Sequence, residues 1–354
     1  MALTKVRGKA VDGGTISTET AGTNNLILGS TAGDSIASGG NNNVCVGDNA
    51  GTAVTTGDLN TFVGINAGAT VATNSSNTAV GAFALDVGVG ENNTAIGAGA
   101  FGGSSYSANH NTAVGKDAGN AISTGEQNVF VGSRAGLLAT TTLCSTIIGE
   151  QAGAGATLTG RDNTCLGFAA GYSLTSGENN LLLGHNAGRT GSPGGNFNTH
   201  DGRIVLGDQN ITEFNCQVSL SVASDERDKT DFTALDIGLD FVKQLNPLTY
   251  KWDKRSSYGN IDAEDYDLNA QTPDGTHKEE QLDIGFKAQE VNTLEESSGY
   301  KIADKTNLIS KLSGDGKQYS LAYEKFVPIL VKAIQELSAK NDALEARIKK
   351  LEDG

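Results

Sequence analysis

The stretch Asn111-Thr-Ala-Val-Gly115-Lys-Asp-Ala-Gly119 is followed seventeen residues later by Asn128-Val-Phe-Val-Gly132-Ser-Arg-Ala-Gly136. The shared pattern is an asparagine, three residues of which the last is aliphatic, a glycine, and an alanine three positions further on. It recurs eleven times, with central glycines 16 to 23 residues apart, most often about 17. These glycines are Gly29, Gly47, Gly64, Gly81, Gly97, Gly115, Gly132, Gly149, Gly167, Gly184 and Gly207. Self-similarity at a fixed period indicates a repeat architecture.

Each repeat predicts one short β-strand closed by a glycine turn. In the copy at 111–115, Thr112 and Val114 share one face of the strand and Ala113 takes the other. Neither face carries charge, so we expect both to be covered, either in a stack of coils or in an intertwined oligomer. The asparagine column could form a hydrogen-bonded ladder, because stacked coils bring equivalent positions together. The sequence therefore predicts a mainly β fold, with a β-roll or β-solenoid shaft of about eleven repeats.

The composition changes abruptly at Ser224. The chain has 354 residues and a net charge of −15. Residues through Ser224 contain 39 glycines and 23 charged side chains, whereas the 130 residues from Asp225 onward contain 8 glycines and 44 charged side chains. A change of this size indicates two different domains that meet near Ser224.

Several classes of protein are excluded by the same composition. Glycine has no three-residue period and proline totals 4, which excludes collagen. No apolar run is long enough for a membrane helix, so membrane insertion is not expected. Both parts are acidic, which argues against nucleic-acid binding. The four cysteines and four histidines have no ligand spacing, so we expect reduced thiols that pack as small hydrophobes, no metal site and no cofactor.

A final amphipathic helix is expected over residues 323–352. Its apolar residues repeat with heptad spacing over four heptads. One position is occupied by Val327, Ile334, Asn341 and Ile348, and the other by Leu330, Leu337, Leu344 and Leu351. This pattern predicts a coiled coil, in which Asn341 fixes the register; β-branched residues paired with leucine favour two strands in isolated peptides.

The repeats resemble the head repeats of trimeric autotransporter adhesins and related repeats of phage tail fibres. That resemblance implies a parallel homotrimer, although the adhesin repeats are shorter. The trimer is thus expected from the resemblance, against the two-stranded preference of the helix pattern.

Residues 224–354 carry three further blocks: Ser224-Asp-Glu-Arg-Asp-Lys229, Asn246-Pro-Leu-Thr-Tyr-Lys-Trp252 and Gly285-Phe-Lys-Ala-Gln-Glu-Val291. In this order they resemble the C-terminal intramolecular chaperone of phage tail fibres and endosialidase-type tailspikes, a self-cleaving peptidase family. The resemblance implies cleavage between Ser224 and Asp225, with Ser224 as nucleophile and Lys229 as general base. A Ser–Lys pair is a known variant of serine-triad chemistry, provided that the amine can be neutral.

Other residues in these blocks are assigned structural roles. Gln289 and Glu290 belong to the family motif, and we interpret them as structural or subunit-contact residues. Lys287 stands where the motif leads us to expect an aliphatic side chain. Tyr250 and Trp252 are expected in the domain core.

The sequence thus predicts a phage tail fibre with four segments: a virion-attachment N-terminus at 1–22, a repeat shaft at 23–210, a junction or tip at 211–224, and a chaperone domain at 225–354. The expected partners are two further copies of the chain, phage tail or baseplate proteins, and a host cell-surface receptor that could be a glycan. The fibre would be made in the host cytoplasm and reside in the virion. Two alternatives stay open: a glycan-degrading tailspike enzyme, and the same fibre with an uncleaved chaperone. Beyond a single self-cleavage, no turnover activity is expected.

Overall fold

The computed structural model describes residues 20–353 apart from 89, 104–106, 262 and 264–265. Residues 1–19 of the expected virion-attachment segment lie outside the described residues. The chain divides into two compact units, and the division falls between Asn210 and Ile211. Each unit is described by itself.

The first unit is a parallel β-solenoid in which every repeat contributes one three-residue strand. The strands stack in chain order into a single eleven-stranded sheet. They are β1 Leu26–Leu28, β2 Val44–Val46, β3 Thr61–Val63, β4 Thr78–Val80, β5 Thr94–Ile96, β6 Thr112–Val114, β7 Val129–Val131, β8 Thr146–Ile148, β9 Thr164–Leu166, β10 Leu181–Leu183 and β11 Ile204–Leu206. The predicted fold is confirmed, and of the two expected arrangements the coils stack within one chain.

The two faces of this sheet have different environments. The middle residue of each strand from β2 to β11 is buried inside the coil, as Phe62, Ala113 and Phe130 are. The flanking residues are only half-buried or exposed, and Leu166 retains 49% of its accessible surface. The stacked coils of one chain therefore cover only the inner face, and cover of the outer face by an oligomer stays a prediction. A coil has room for one side chain of each strand in its interior, and the outer two point away from it.

The predicted asparagine ladder is present. The backbone N–H of Asn60 donates to Oδ1 of Asn43 at 3.0 Å, and the backbone N–H of Asn77 donates to Oδ1 of Asn60 at 3.0 Å. Each side-chain amide also donates to a main-chain carbonyl of the following turn, as Asn43 Nδ2 does to Gly57 at 2.8 Å. Every asparagine thus satisfies polar groups of two coils, which would otherwise be buried without partners.

The one repeat with serine in this column contains a substitute for the missing amide. Ser145 Oγ accepts the backbone N–H of Asn163 at 3.2 Å, which continues the acceptor role of the column. Serine cannot reach the next turn, but the hydroxyl of Thr142 lies 3.0 Å from Ser145 Oγ and donates to the carbonyl of Gly160 at 2.6 Å. Two hydroxyls therefore replace one asparagine.

The central glycines are required by the spacing of the coils. Gly64 has φ +136°, and a Cβ on it would lie 2.5 Å from the carbonyl oxygen of Gly81 in the next coil. An L-residue is strained at this φ and also has no space there, which explains why glycine recurs at this position.

The second unit is a small α+β fold. Its elements are α1 Leu239–Val242, β12 Leu248–Tyr250, β13 Asp283–Gly285, α2 Ala288–Ser297, β14 Ser310–Leu312, β15 Tyr319–Leu321 and α3 Phe326–Glu352. The strands form two antiparallel pairs, β12 with β13 and β14 with β15. The core is formed by Ile237, Phe241, Val291, Ile309, Phe326 and Ile329.

Helix α3 begins at Phe326, because residues Tyr323–Lys325 form a 3-10 turn ahead of it. Only Phe326, Ile329 and Ala333 of the helix are buried. The heptad residues, among them Ile334, Leu337 and Leu344, are exposed in the single chain. The apolar seam predicted from the sequence therefore has no covering element among the described residues. No described helix is long and apolar enough to cross a membrane.

Candidate self-cleavage site

The stretch from Ser224 to Lys229 is folded into a compact turn. Asp225 begins a 3-10 turn over Glu226–Asp228, and its carboxylate accepts the backbone N–H of Arg227 at 2.9 Å. The Arg227 side chain returns to the same carboxylate, with Nη2 2.6 Å from Oδ2. These hydrogen bonds, first the side-chain one and then the backbone one, lower the pKa of Asp225. Asp225 is therefore held as an anionic cap next to the expected scissile bond.

The turn brings Lys229 back to Ser224. Lys229 Nζ lies 2.6 Å from Ser224 Oγ and 3.1 Å from the carbonyl oxygen of Ser224. A single amine thus touches the hydroxyl expected to attack and the carbonyl expected to be attacked. The 2.6 Å distance lies within the range over which a positioned side chain can take a proton from a hydroxyl group.

The site is incomplete in the single chain. Ser224, Asp225 and Lys229 are all exposed to solvent. Among the described residues, no backbone N–H donates to the carbonyl oxygen of Ser224; its hydrogen-bond donor is Lys229 Nζ. An acyl-transfer site needs donors for the developing oxyanion and works best without bulk water. Both features require a neighbouring surface.

Gln289 and Glu290 do not join this site. Both lie on the exposed first turn of α2, and no described hydrogen bond or ion pair links them to Ser224 or Lys229. Glu290 pairs with Lys287 at 2.8 Å, and this hydrogen bond lowers the pKa of Glu290. Lys287 is the N-cap residue of α2 and is exposed to solvent. Because the position is exposed, it accepts a lysine.

The aromatic block is arranged around Asp283 on β13. Oδ2 of Asp283 accepts from the Tyr250 hydroxyl at 3.3 Å and from Trp252 Nε1 at 3.2 Å. Burial, followed by the negative charge of Asp283, raises the pKa of Tyr250 to about 12. Trp252 retains 46% of its surface, so the expectation of a core tryptophan is wrong. The hydrogen bond from its indole N–H to Asp283 holds the ring at the edge of the domain.

Sequence reasoning missed Glu295, a fully buried carboxylate of the second unit. It accepts the backbone N–H groups of Leu308, Ile309 and Ser310 at 2.7 to 2.8 Å, and also the hydroxyl of Ser310. Glu295 thereby joins α2 to the start of β14. Its sequence context, Leu294-Glu-Glu-Ser, reads as an ordinary exposed helix face, so no local signal reveals it.

The cysteines fall into two groups. Cys45 and Cys165 are the buried middle residues of β2 and β9, and burial raises the pKa of each thiol to about 12. Cys144 and Cys216 are free thiols that are exposed, so the expected packing role is wrong for these two. Among the described residues, no group of three or more His, Cys, Asp or Glu side chains could hold a metal ion.

Comparison with known families gives a match in the second unit. Residues 224–299 match the model of a family described as chaperone of endosialidase, and the match begins at Ser224. The matched part ends after α2, which is shorter than the range 224–354 expected from the sequence. A search of curated proteins found no match, and a search of solved structures found none either. A chaperone-of-endosialidase domain behind a β-solenoid fits a tailspike- or endosialidase-like protein, and the family implies homotrimer assembly.

Proposed function

We propose that the protein is a phage tail fibre whose C-terminal domain assembles three chains and then separates from them by cutting the Ser224–Asp225 bond. The observation that carries the proposal is the contact of Lys229 Nζ with both Ser224 Oγ and Ser224 O, at the first residue of the matched domain. The stiff solenoid is the part that remains.

The proposed cleavage uses groups of this chain. Neutral Lys229 takes the proton of the Ser224 hydroxyl, and Oγ attacks the carbonyl carbon of the same residue. The C–N bond to Asp225 breaks as Lys229 gives that proton to the departing amine. The resulting ester, a strained four-membered lactone, is opened by water to leave a carboxylate on Ser224 and a new N-terminus at Asp225.

Exposure of the site links the cut to assembly. In a single chain, water surrounds Ser224 and Lys229, and bulk water disfavours acyl transfer at such a site. Neighbouring subunits in a trimer would exclude that water and supply oxyanion donors. Cleavage would then occur only after three chains have assembled. Loss of the C-terminal domain would also remove the route by which the shaft could disassemble.

The attachment role rests on the shaft. Its repeats carry little charge and stack into one continuous sheet, which suits a rigid spacer between a virion and a cell surface. We assign virion attachment to residues 1–22 and host binding, to a receptor that could be a glycan, to the shaft or its tip at about residues 191–214. Incubation of the fibre with host polysaccharide, followed by an assay for new reducing ends, distinguishes this role from a depolymerase.

The chaperone role is tested with two chains: the full-length protein and one that ends at Ser224. Native mass spectrometry of the full-length chain is expected to show a trimer of the 224-residue product, whereas the shorter chain gives monomer or aggregate. Formation of the same trimer in equal yield from the shorter chain contradicts the proposal. A full-length chain that stays monomeric contradicts it as well.

A further inference from the structure

The junction before Ser224 has the pattern of a β-strand without being one in the single chain. Residues 214–222 read Phe-Asn-Cys-Gln-Val-Ser-Leu-Ser-Val, with apolar and polar side chains in strict alternation. Nine residues with period two are typical of a strand with one buried face. The described chain forms neither helix nor strand between Leu206 and Glu226.

The apolar members of this segment are uncovered. Val218 retains 76% of its surface, Leu220 78% and Val222 80%, and Phe214 and Cys216 are exposed as well. Among the described residues, no backbone hydrogen bond joins 211–224 to the rest of the chain. Residues 211–223 contain no glycine or proline, so the composition is not that of a flexible linker. An exposed hydrophobic stripe whose backbone makes no hydrogen bonds to the rest of the chain is typical of a segment that packs against another chain.

Two observations indicate that the partner is the same segment of other copies. The stripe ends directly at Ser224, where the match to the trimer-forming family begins, so assembly brings three copies of it to one place at high effective concentration. Residues 214–224 also carry no charged side chain, on either face, in a chain with 67 charged residues. Identical uncharged stripes around a symmetry axis complement one another without repulsion.

We propose that residues 214–222 of three chains form strands whose apolar stripes pack against one another along the trimer axis. The stripe consists of Phe214, Cys216, Val218, Leu220 and Val222. After the cut these residues become the end of the shaft chain, so they hold the three chains together once the assembling domain is gone. This inference rests on the proposed homotrimer and identifies the contact that outlasts the cleavage.

Cys216 provides a direct probe of this packing. In a Cys144→Ser background, Cys216 is the remaining exposed thiol, because Cys45 and Cys165 are buried. Mild oxidation of the purified trimer should join Cys216 residues of two chains, and pairing within a trimer limits the dimer band to about two thirds of the chains. The readout is a non-reducing denaturing gel.

Moving the thiol tests the strand itself. With Cys216→Ser also in place, Val218→Cys keeps the thiol on the stripe, and Gln217→Cys moves it to the opposite face. We expect efficient cross-linking at 216 and 218 and several-fold less at 217. Equal cross-linking at all three positions contradicts a strand, and no cross-linking at any of them shows that the stripes of different chains do not pack against one another. Either result overturns the inference.

A second matched pair uses no thiols. Val218→Asp would place three carboxylates on the axis, so the cleaved trimer should dissociate at a lower detergent concentration than the wild type, whereas Ser219→Asp should dissociate at the wild-type concentration. Native mass spectrometry of the same samples before detergent treatment distinguishes failure of the proposed homotrimer from failure of the proposed packing of residues 214–222. A wild-type protein that is monomeric overturns the trimer and this inference together, whereas a trimer that fails only the cross-linking pattern overturns this inference alone.

Discussion

Lys229 Nζ lies 2.6 Å from Ser224 Oγ and 3.1 Å from the carbonyl oxygen of that serine. The contact is made possible by the 3-10 turn at Glu226–Asp228, which reverses the chain within five residues. An exposed contact of this kind contributes little to stability. Its value is chemical, because it places an expected base, an expected nucleophile and a carbonyl together at the point in the sequence where the glycine and charge content changes.

The role of Lys229 as a base is tested by Lys229→Arg. Arginine can still donate to the Ser224 hydroxyl and carbonyl, but it stays protonated and cannot accept the proton. We expect cleavage to slow at least about 100-fold, the usual contribution of a general base. Fragment formation over time on a denaturing gel measures it. Lys278→Met, which removes a positive charge from an exposed lysine elsewhere in the domain, should cleave at the wild-type rate.

Replacement of Glu295 should weaken the chaperone domain. Glu295→Ala leaves the N–H groups of residues 308–310 buried without an acceptor, and each such loss costs about 1–3 kcal/mol. The domain should therefore unfold at lower denaturant, and trimer yield and cleavage should fall with it. Glu280→Ala is the control, because this carboxylate of the same unit is exposed. Equal unfolding midpoints for the two variants would show that the buried network carries no stability.

The asparagine ladder predicts a local loss of shaft stability. In Asn111→Ala, the backbone N–H and Nδ2 of Asn128 lose their acceptor, at 2.9 and 3.1 Å, and the carbonyl of Gly125 loses a donor at 2.9 Å. We expect a decrease of about 2–3 kcal/mol in the free energy of unfolding. Thermal unfolding followed by circular dichroism measures it. Asn198→Ala, which removes an exposed side chain of the same unit, should be nearly neutral.

The buried thiols predict both reactivity and pH dependence. With pKa values of about 12, Cys45 and Cys165 should resist a thiol reagent in the folded protein, while Cys144 and Cys216 react. All four should react in denaturant. Because the folded pKa exceeds the ordinary value of 9.0, the two thiols contribute their full stability below about pH 9 and lose it as pH rises towards 12. The unfolding midpoint should fall over that range, and less so in a Cys45→Ala, Cys165→Ala double variant.

The shaft was largely predictable because its signal is local and repeated. The prediction of Thr112 and Val114 on one face and Ala113 on the other follows from the period of two, and β6 Thr112–Val114 has this arrangement. The covering of the outer face was not predictable, because it depends on how many chains assemble. The pairing of Thr142 with Ser145 also escaped prediction, since it depends on the path of a turn.

The identity of the chaperone domain was predictable mainly from the resemblance of its sequence blocks to a known family. The position of Ser224 and its contact with Lys229 follow from six consecutive residues, which form a local turn. Glu295 and the exposed Trp252 depend on contacts across the domain, with residues 308–310 and with Asp283. Residue type alone predicts that Glu295 is exposed and that Trp252 is buried. The tertiary contacts of the domain instead bury the glutamate and leave the tryptophan half exposed.

The most direct test of the account is the mass of the chain after expression, with Ser224→Ala as the paired variant. The wild-type protein is expected to give two fragments of 224 and 130 residues, the smaller with Asp225 as its new N-terminus, and the variant is expected to stay at 354 residues. A wild-type chain that stays full length contradicts self-cleavage. Fragments of the same mass from the Ser224→Ala chain would show that Ser224 is not the nucleophile.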